Sequence, residues 1–388
     1  MNNAGPRRSF ASALRRLSGF AFEHLLLLPV GAFVALVWAN AAPESYFGAT
    51  HAMAFAVNDV GMVFFFGLIT KEVVEATAAG GVLHTWRRTT MPLIAALGAA
   101  SLSALIHVRL VDALDEPALE AVWPVTLGTD IAVSYIVARL IFRRHPVIPF
   151  VLLLAIASDM LGVLAVALFQ PAPDLHLTQG GVLVLLAIGI AMILRSAHVK
   201  NFWAYLLTAG TVSWFGFYRG GIHPAVALVP IVPFLPHASR DPGFLVDASP
   251  GARDTLSRFE IFWRYPAQIA LSLFGFVNAG VAFHALEPGT IGLPIAVIAG
   301  RPIGILAAAG IAVATGLHLP QRVGWRDLLV VGFITAVGFS VALFLTAALL
   351  PPGQLRAETS MGVILGLAAV PLAFASARVL RVGRFGRT

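Results

Sequence analysis

Three observations predict an all-α, polytopic membrane protein with about twelve transmembrane helices. Of 388 residues, 58% are hydrophobic and only 12% charged, about half the charged share of an ordinary soluble chain. Apolar runs long enough to cross a bilayer recur from end to end. Basic residues gather in every second connection between those runs.

The runs fall at 21–41, 53–77, 91–111, 121–141, 147–169, 179–196, 201–218, 221–236, 260–285, 290–315, 327–350 and 359–378, with the fourth and eighth the weakest. The first follows Arg7, Arg8, Arg15 and Arg16. No small-residue cleavage site comes after it and the run continues to Asn40, so it reads as a retained span rather than a signal peptide. With the N-terminus inside, 22 of the 26 basic residues lie on the cytoplasmic side. Arg109, Arg219 and Arg356 lie outside, and Arg301 lies within a span. Shifting the count by one span spoils the alternation, so both termini are expected in the cytoplasm. Residues 1–20 then form a cytoplasmic segment, 21–378 one transmembrane unit and 379–388 a cytoplasmic tail. The longest loop, His237 to Ser257, is polar and leads into RFEIFWRY, which suits the start of an interfacial helix.

Composition excludes other classes. The chain has no cysteine, hence no disulfide and no thiolate metal site. Its net charge of +7 would suggest nucleic acid in a soluble protein. Here the arginines flank apolar runs and are explained by topology, so no nucleic-acid partner is expected; the lipid bilayer is the partner that composition demands.

Chemistry concentrates in a few polar residues at membrane depth. Asp159 is the one charge between Val147 and Phe169 and lies near the middle of that run. Such an acid costs about 2.5–3.5 kcal/mol to insert and marks a functional site by default. VTLGTDIAVS (125–134) and GFITAVGFSVA (332–342) both place glycine and hydroxyl residues mid-span. Unwound backbone at that depth is tolerated only around a cavity, and paired interrupted helices in two halves of a chain point to a transporter's ion site. The plain alternative is that small residues let helices approach closely. Asp59, Asp130 and Arg301 are also deep, Glu72 lies toward the cytoplasmic end of the second span beside Lys71, and His223 opens the eighth. Each has a structural alternative: Asp59 and Asp130 as caps, Arg301 as a counter-ion, His223 as a packed histidine, Glu72 as a solvated helix end. A buried carboxylate holds a proton or a small cation, but not both well. Oxygen ligands suit Na+, and Asp159, Ser158, Thr129, Asp130 and the carbonyls of a broken helix would supply them.

NDVGMVFFFGLITKE (58–72), TDIA (129–132), LAIASDMLG (154–162), GGIHPAV (220–226), FVNAGV (276–281), GRPIG (300–304) and the GFS at 338–340 together resemble the NhaA-type Na+/H+ antiporter family in order and spacing over nearly the whole chain. That family is itself a known example of inverted repeats with broken helices. The resemblance implies inverted-topology repeats built from the spans at about 91–169 and 290–378, with two interrupted helices crossing at mid-membrane and the other spans forming a scaffold or dimer-contact domain. It implies a bacterial inner-membrane secondary transporter that exchanges Na+ or Li+ for protons in ion and pH homeostasis, with a homodimer among its expected partners and no cofactor. Asp159 is implied as the ion-binding acid, Thr129 and Asp130 as residues of the crossing, and Asp59, Glu72, His223 and Glu260 as supporting or pH-related positions.

The chain departs from the family pattern in four places. Ser158-Asp159 (or Asp159-Met160, if Leu161-Gly162 is the anchor) stands where the family has two aspartates. Arg301 replaces a lysine. The loop near Pro43–Thr50 is too short for the family's β-hairpin. Arg258 and Arg264, instead of histidines, flank Glu260. Asp130, Asp159 and Arg301 sum to −1 rather than −2, and arginine cannot release its proton, so one proton per cation is expected, with Arg301 paired to an acid. Two alternatives remain: a related ion-coupled carrier or symporter, and an intramembrane aspartyl protease. The second is disfavoured because LGTD (127–130) and PLA (371–373) do not match the GxGD and PAL motifs that chemistry uses.

Overall fold

A computed structural model describes residues 27–77, 86–143, 145–169, 177–237, 254–283, 287–320 and 322–386. The N-terminal arginines, most of the 237–257 loop and the last two residues lie outside that set. Every regular element among the described residues is helical, and none of them is a strand. Helix α1 (Leu27–Ala41) is followed by α2 (Pro43–Phe55), a π turn (Ala56–Gly61) and α3 (Met62–Thr77). Helix α4 (Trp86–Ala113) leads into a 3₁₀ arm (Pro117–Leu127), then α5 (Ile131–Phe142), α6 (Val147–Phe169) and α7 (Leu177–Ser196). Next come α8 (Phe202–Tyr205), a second π turn (Leu206–Gly210), α9 (Thr211–Gly220) and α10 (Thr255–Asn278). The chain ends with α11 (Pro288–Ala314), α12 (Trp325–Thr335), α13 (Phe339–Leu349), α14 (Gln354–Leu365) and α15 (Ala369–Val379).

Among the described residues, six helical stretches are long and apolar enough to cross a membrane, and two bent pairs raise the number to eight. The bent pairs are the two segments singled out for mid-span glycines. The 3₁₀ arm meets α5 at 57°, and α12 meets α13 at 47°. Two expectations need correction. The segment after the first span is no loop: Pro43 sits in the first turn of α2, where a missing amide costs nothing, and α2 to α3 form one apolar stretch from Pro43 to Glu75. The eighth expected span, 221–236, is not a helix. It holds only two 3₁₀ turns, Pro224–Val226 and Val232–Phe234. Pro224, Pro230, Pro233 and Pro236 deny it the amide donors a helix needs, although Ala225, Leu228, Ile231 and Leu235 are buried as deeply as any span would bury them.

Small residues set the closest helix approaches. Gly98 of α4 packs on Gly304 and Ala308 of α11, Gly31 of α1 on Ser272 of α10, and Gly180 of α7 on Gly216 and Gly220 of α9. Without a hydrophobic drive between helices in lipid, such seams gain dispersion energy by bringing backbones together. The 3₁₀ arm, α4–α6 and α11–α15 gather on one side; α1–α3 and α7–α10 gather on the other. One apolar cluster lies wholly in the first group, from Met91 through Phe142 and Ile305 to Val382. A second lies in the other group, from Val63 through Leu206 to Phe259. A third, holding Phe66, Phe274, Val125, Phe344 and Val363, bridges both.

Candidate ion site

The two bent pairs cross where glycine alone fits. A Cβ on Gly338 would lie 2.5 Å from the Gly128 carbonyl oxygen, and one on Gly128 would lie 2.7 Å from the Ala342 nitrogen. The crossing leaves helix ends exposed to a dry interior, and side chains satisfy them. The Asp130 amide donates to Val337 O (2.7 Å). Asp130 Oδ1 accepts from the Val133 amide at the start of α5 (2.9 Å), and Oδ2 from the Ser340 amide at the start of α13 (3.1 Å). One carboxylate thus caps two helix N-termini, where negative charge is favoured. Ser134 Oγ adds a bond to Ile334 O across the crossing (3.2 Å).

Arg301 serves the opposite polarity. It is fully buried, and its Nη2 donates to Thr126 O and Gly128 O, both at 2.8 Å, at the C-terminal end of the 3₁₀ arm. A cation belongs at that end of a helical dipole. No ion pair within 4 Å joins Arg301 to an acid among the described residues; its hydrogen bonds go to two backbone carbonyls, and the Asp159 carboxylate acts on it by charge from farther away.

Asp159 projects from the middle of α6 toward this crossing and is fully buried. Its Oδ1 accepts from the Thr129 amide (2.7 Å) and the Thr129 hydroxyl (2.6 Å). The same hydroxyl lies 3.0 Å from Ala155 O. Asp159 Oδ2 has no hydrogen-bond partner. Ser158 is also buried with an unpartnered hydroxyl. It does not share a face with Asp159, because neighbouring residues on a helix diverge by about 100°. Thr129 and Asp159 are therefore brought together, Asp130 is committed to amides, and Ser158 is buried without a hydrogen-bond partner. The free carboxylate oxygen, the Thr129 hydroxyl and nearby carbonyls form an oxygen-only donor set of the kind that suits an alkali cation.

The remaining expected residues form two further clusters. His223 Nε2 lies 3.9 Å from Asp59 Oδ1, while its Nδ1 accepts from the Ala225 amide (3.3 Å) and its ring stands against Phe344. Asp59 lies in the π turn, a distortion that often marks functional positions. Glu72 and Glu260 meet through Lys71, which is 3.3 Å from Glu72 and 2.7 Å from both Glu260 and Glu75. The i,i+4 spacing of Lys71 and Glu75 was readable in the sequence, yet Glu75 carries no motif and was missed. Lys71 is 1% exposed. Lys71→Met is expected to lower stability by about 3–5 kcal/mol, because three largely buried acids lose their shared cation. Thermal unfolding of the purified protein checks this, and an unchanged midpoint would deny the cluster a structural role.

With this geometry in view, the similarities are informative. The family model described as Na+/H+ antiporter 1 matches residues 21–377. The chain belongs to that family. The Na(+)/H(+) antiporter NhaA of Geobacter metallireducens is 36% identical over 372 residues, covering 93% of this chain and 97% of the relative. The NhaA of Desulfitobacterium hafniense is 37% identical over 387 residues, covering 96% and 98%. The fold is shared with the sodium proton antiporter MjNhaP1 from Methanocaldococcus jannaschii. There the TM-score is 0.61 at 16% identity, over 96% of this chain and all of the other. The protein is thus a multi-pass membrane protein of a transporter family rather than an enzyme, and the protease alternative falls.

Proposed function

We propose that this protein exchanges a monovalent cation, Na+ or Li+, for protons across the bacterial inner membrane by alternating access. Asp159 is the shared site and Thr129 the second oxygen ligand; both termini are cytoplasmic. Family membership supports the exchange itself. The observation that carries the site is the split state of Asp159: one oxygen held by Thr129, the other buried without a partner. A proton or a cation completes that oxygen, and the two compete for it. Asp59, Glu72, His223 and Glu260 support the site from a distance.

The same geometry argues for one proton per cation. Both Asp130 oxygens are occupied by backbone amides, and Arg301 keeps its proton at any working pH. Only Asp159 is left to alternate between neutral and ion-bound forms, and either form carries the same charge. In proteoliposomes, Na+ or Li+ gradients should drive proton movement at a rate unaffected by an imposed membrane potential. A rate that rises with potential would show a second titrating group and overturn the stoichiometry. No proton movement with Na+, Li+ or K+ would overturn the exchange reading.

A further inference from the structure

Two asparagines stand in motifs that carry the family likeness but have no part in the ion site. Asn58 lies in the π turn and Asn278 in the last turn of α10, both in the group formed by α1–α3 and α7–α10. They are buried and face one another. Asn278 Nδ2 donates to Asn58 Oδ1 (2.8 Å) and to Phe274 O (2.9 Å), and Asn58 Nδ2 returns a longer bond of 3.4 Å to Asn278 Oδ1. The tyrosine hydroxyl of Tyr46 donates to Phe276 O (2.5 Å) and so fixes this turn of α10 from the side.

The Asn278 oxygen also receives a guanidinium. Arg356 Nη2 donates to it at 2.6 Å, and Arg356 belongs to α14, in the other helix group. No acid lies within 4 Å of Arg356 among the described residues. A neutral amide holds a partly buried cation less tightly than a carboxylate would, which suits a contact that must open. Phe344 of α13 belongs to the apolar cluster that bridges the two groups. Its ring centroid is 4.7 Å from Phe66, 4.8 Å from His223 and 6.4 Å from Phe274, all of the opposite group. The bridging apolar cluster is this seam. Toward the arginine-rich end the two groups keep separate clusters.

We propose that Arg356 is a positioning residue. Docked on the Asn278–Asn58 pair, it bolts the two helix groups together on the side away from the arginine-rich end, and its release lets the Asp159 site face that side. The proposal rests on the alternating-access reading and names the contact that this reading requires to break. Arg301 holds backbone within its own group and does not cross the seam.

The absence of native cysteine makes the test direct. Phe344→Cys introduces a single thiol, buried in the seam that the bolt closes. Its alkylation by a membrane-impermeant maleimide, applied from the Arg356 side of proteoliposomes, should speed up at least tenfold when Arg356→Met is added and return to the starting rate with Arg356→Lys. Arg356→Met on its own should lower the Na+ half-saturation concentration measured from that side. Unchanged alkylation in Arg356→Met overturns the proposal. Should Arg356→Met fail to fold, the double variant Asn278→Cys/Arg356→Cys decides: a short, reducible bis-thiosulfonate bridge should stop exchange, and reduction should restore it. Bridged protein that still exchanges at the unbridged rate overturns the bolt. Alkylation needs no transport, so wild-type protein that moves no protons would refute the exchange reading while leaving the bolt measurable.

Discussion

Asp159→Asn is expected to reduce cation-driven proton movement to the level of protein-free vesicles while the protein still folds. The side chain keeps its shape and one acceptor oxygen, so the Thr129 amide and hydroxyl, at 2.7 and 2.6 Å, retain their partner. What disappears is the negative charge, and with it the capacity to hold either a proton or a cation at the other oxygen. Asparagine removes the desolvation cost of a buried carboxylate but also the negative charge that faces Arg301 from beyond 4 Å, and the two effects oppose, so the melting midpoint should stay close to that of the wild type. Thr129 is bound through its backbone as well as its hydroxyl, so it stays in place when the charge is lost. Loss of exchange with an intact midpoint therefore separates chemistry from folding. Exchange retained in Asp159→Asn with its pH dependence intact would exclude this carboxylate as the shared site.

How far the sequence reaches depends on which kind of partner a residue takes. Asp159 was legible because nothing in its own apolar run could compensate it. The two broken helices were legible because glycine and hydroxyl residues interrupt otherwise continuous spans, and the breaks fall where those residues stand. Asp130 was legible as a helix cap, but not in how far it reaches. Its second oxygen caps a helix that begins at Phe339, an amide partner 210 residues away that only the crossing brings near. Arg301 suggested an acid partner because side chains are what a sequence displays. Backbone carbonyls left bare by a helix break are invisible in the sequence, yet they take its hydrogen bonds, while Asp159 reaches it by charge alone. The 221–236 segment misled for a related reason. Hydropathy registers its apolar side chains and not the amide donors its prolines remove.

Arg301→Ala should cost stability far more than it changes ion preference. The guanidinium satisfies Thr126 O and Gly128 O in a site with no exposure to solvent. Alanine leaves both carbonyls unpaired, at about 1–3 kcal/mol each, and strips the arm's C-terminal end of its compensating charge. Relief from burying a cation offsets part of this, for a net loss of about 2–4 kcal/mol. Arg301→Lys keeps the charge but offers a compact ammonium instead of a planar fork, so its stability should fall between alanine and wild type. The order wild type, lysine, alanine in thermal unfolding, with the Na+ to Li+ preference unchanged, is the expected result. An alanine variant as stable as wild type but altered in cation choice would place the guanidinium among the ion's own neighbours instead. The lysine variant carries a second consequence. An amine, unlike a guanidinium, can release its proton when buried, so Arg301→Lys adds a titrating group to a site that otherwise has one. Its exchange rate should respond to membrane potential where the wild-type rate does not.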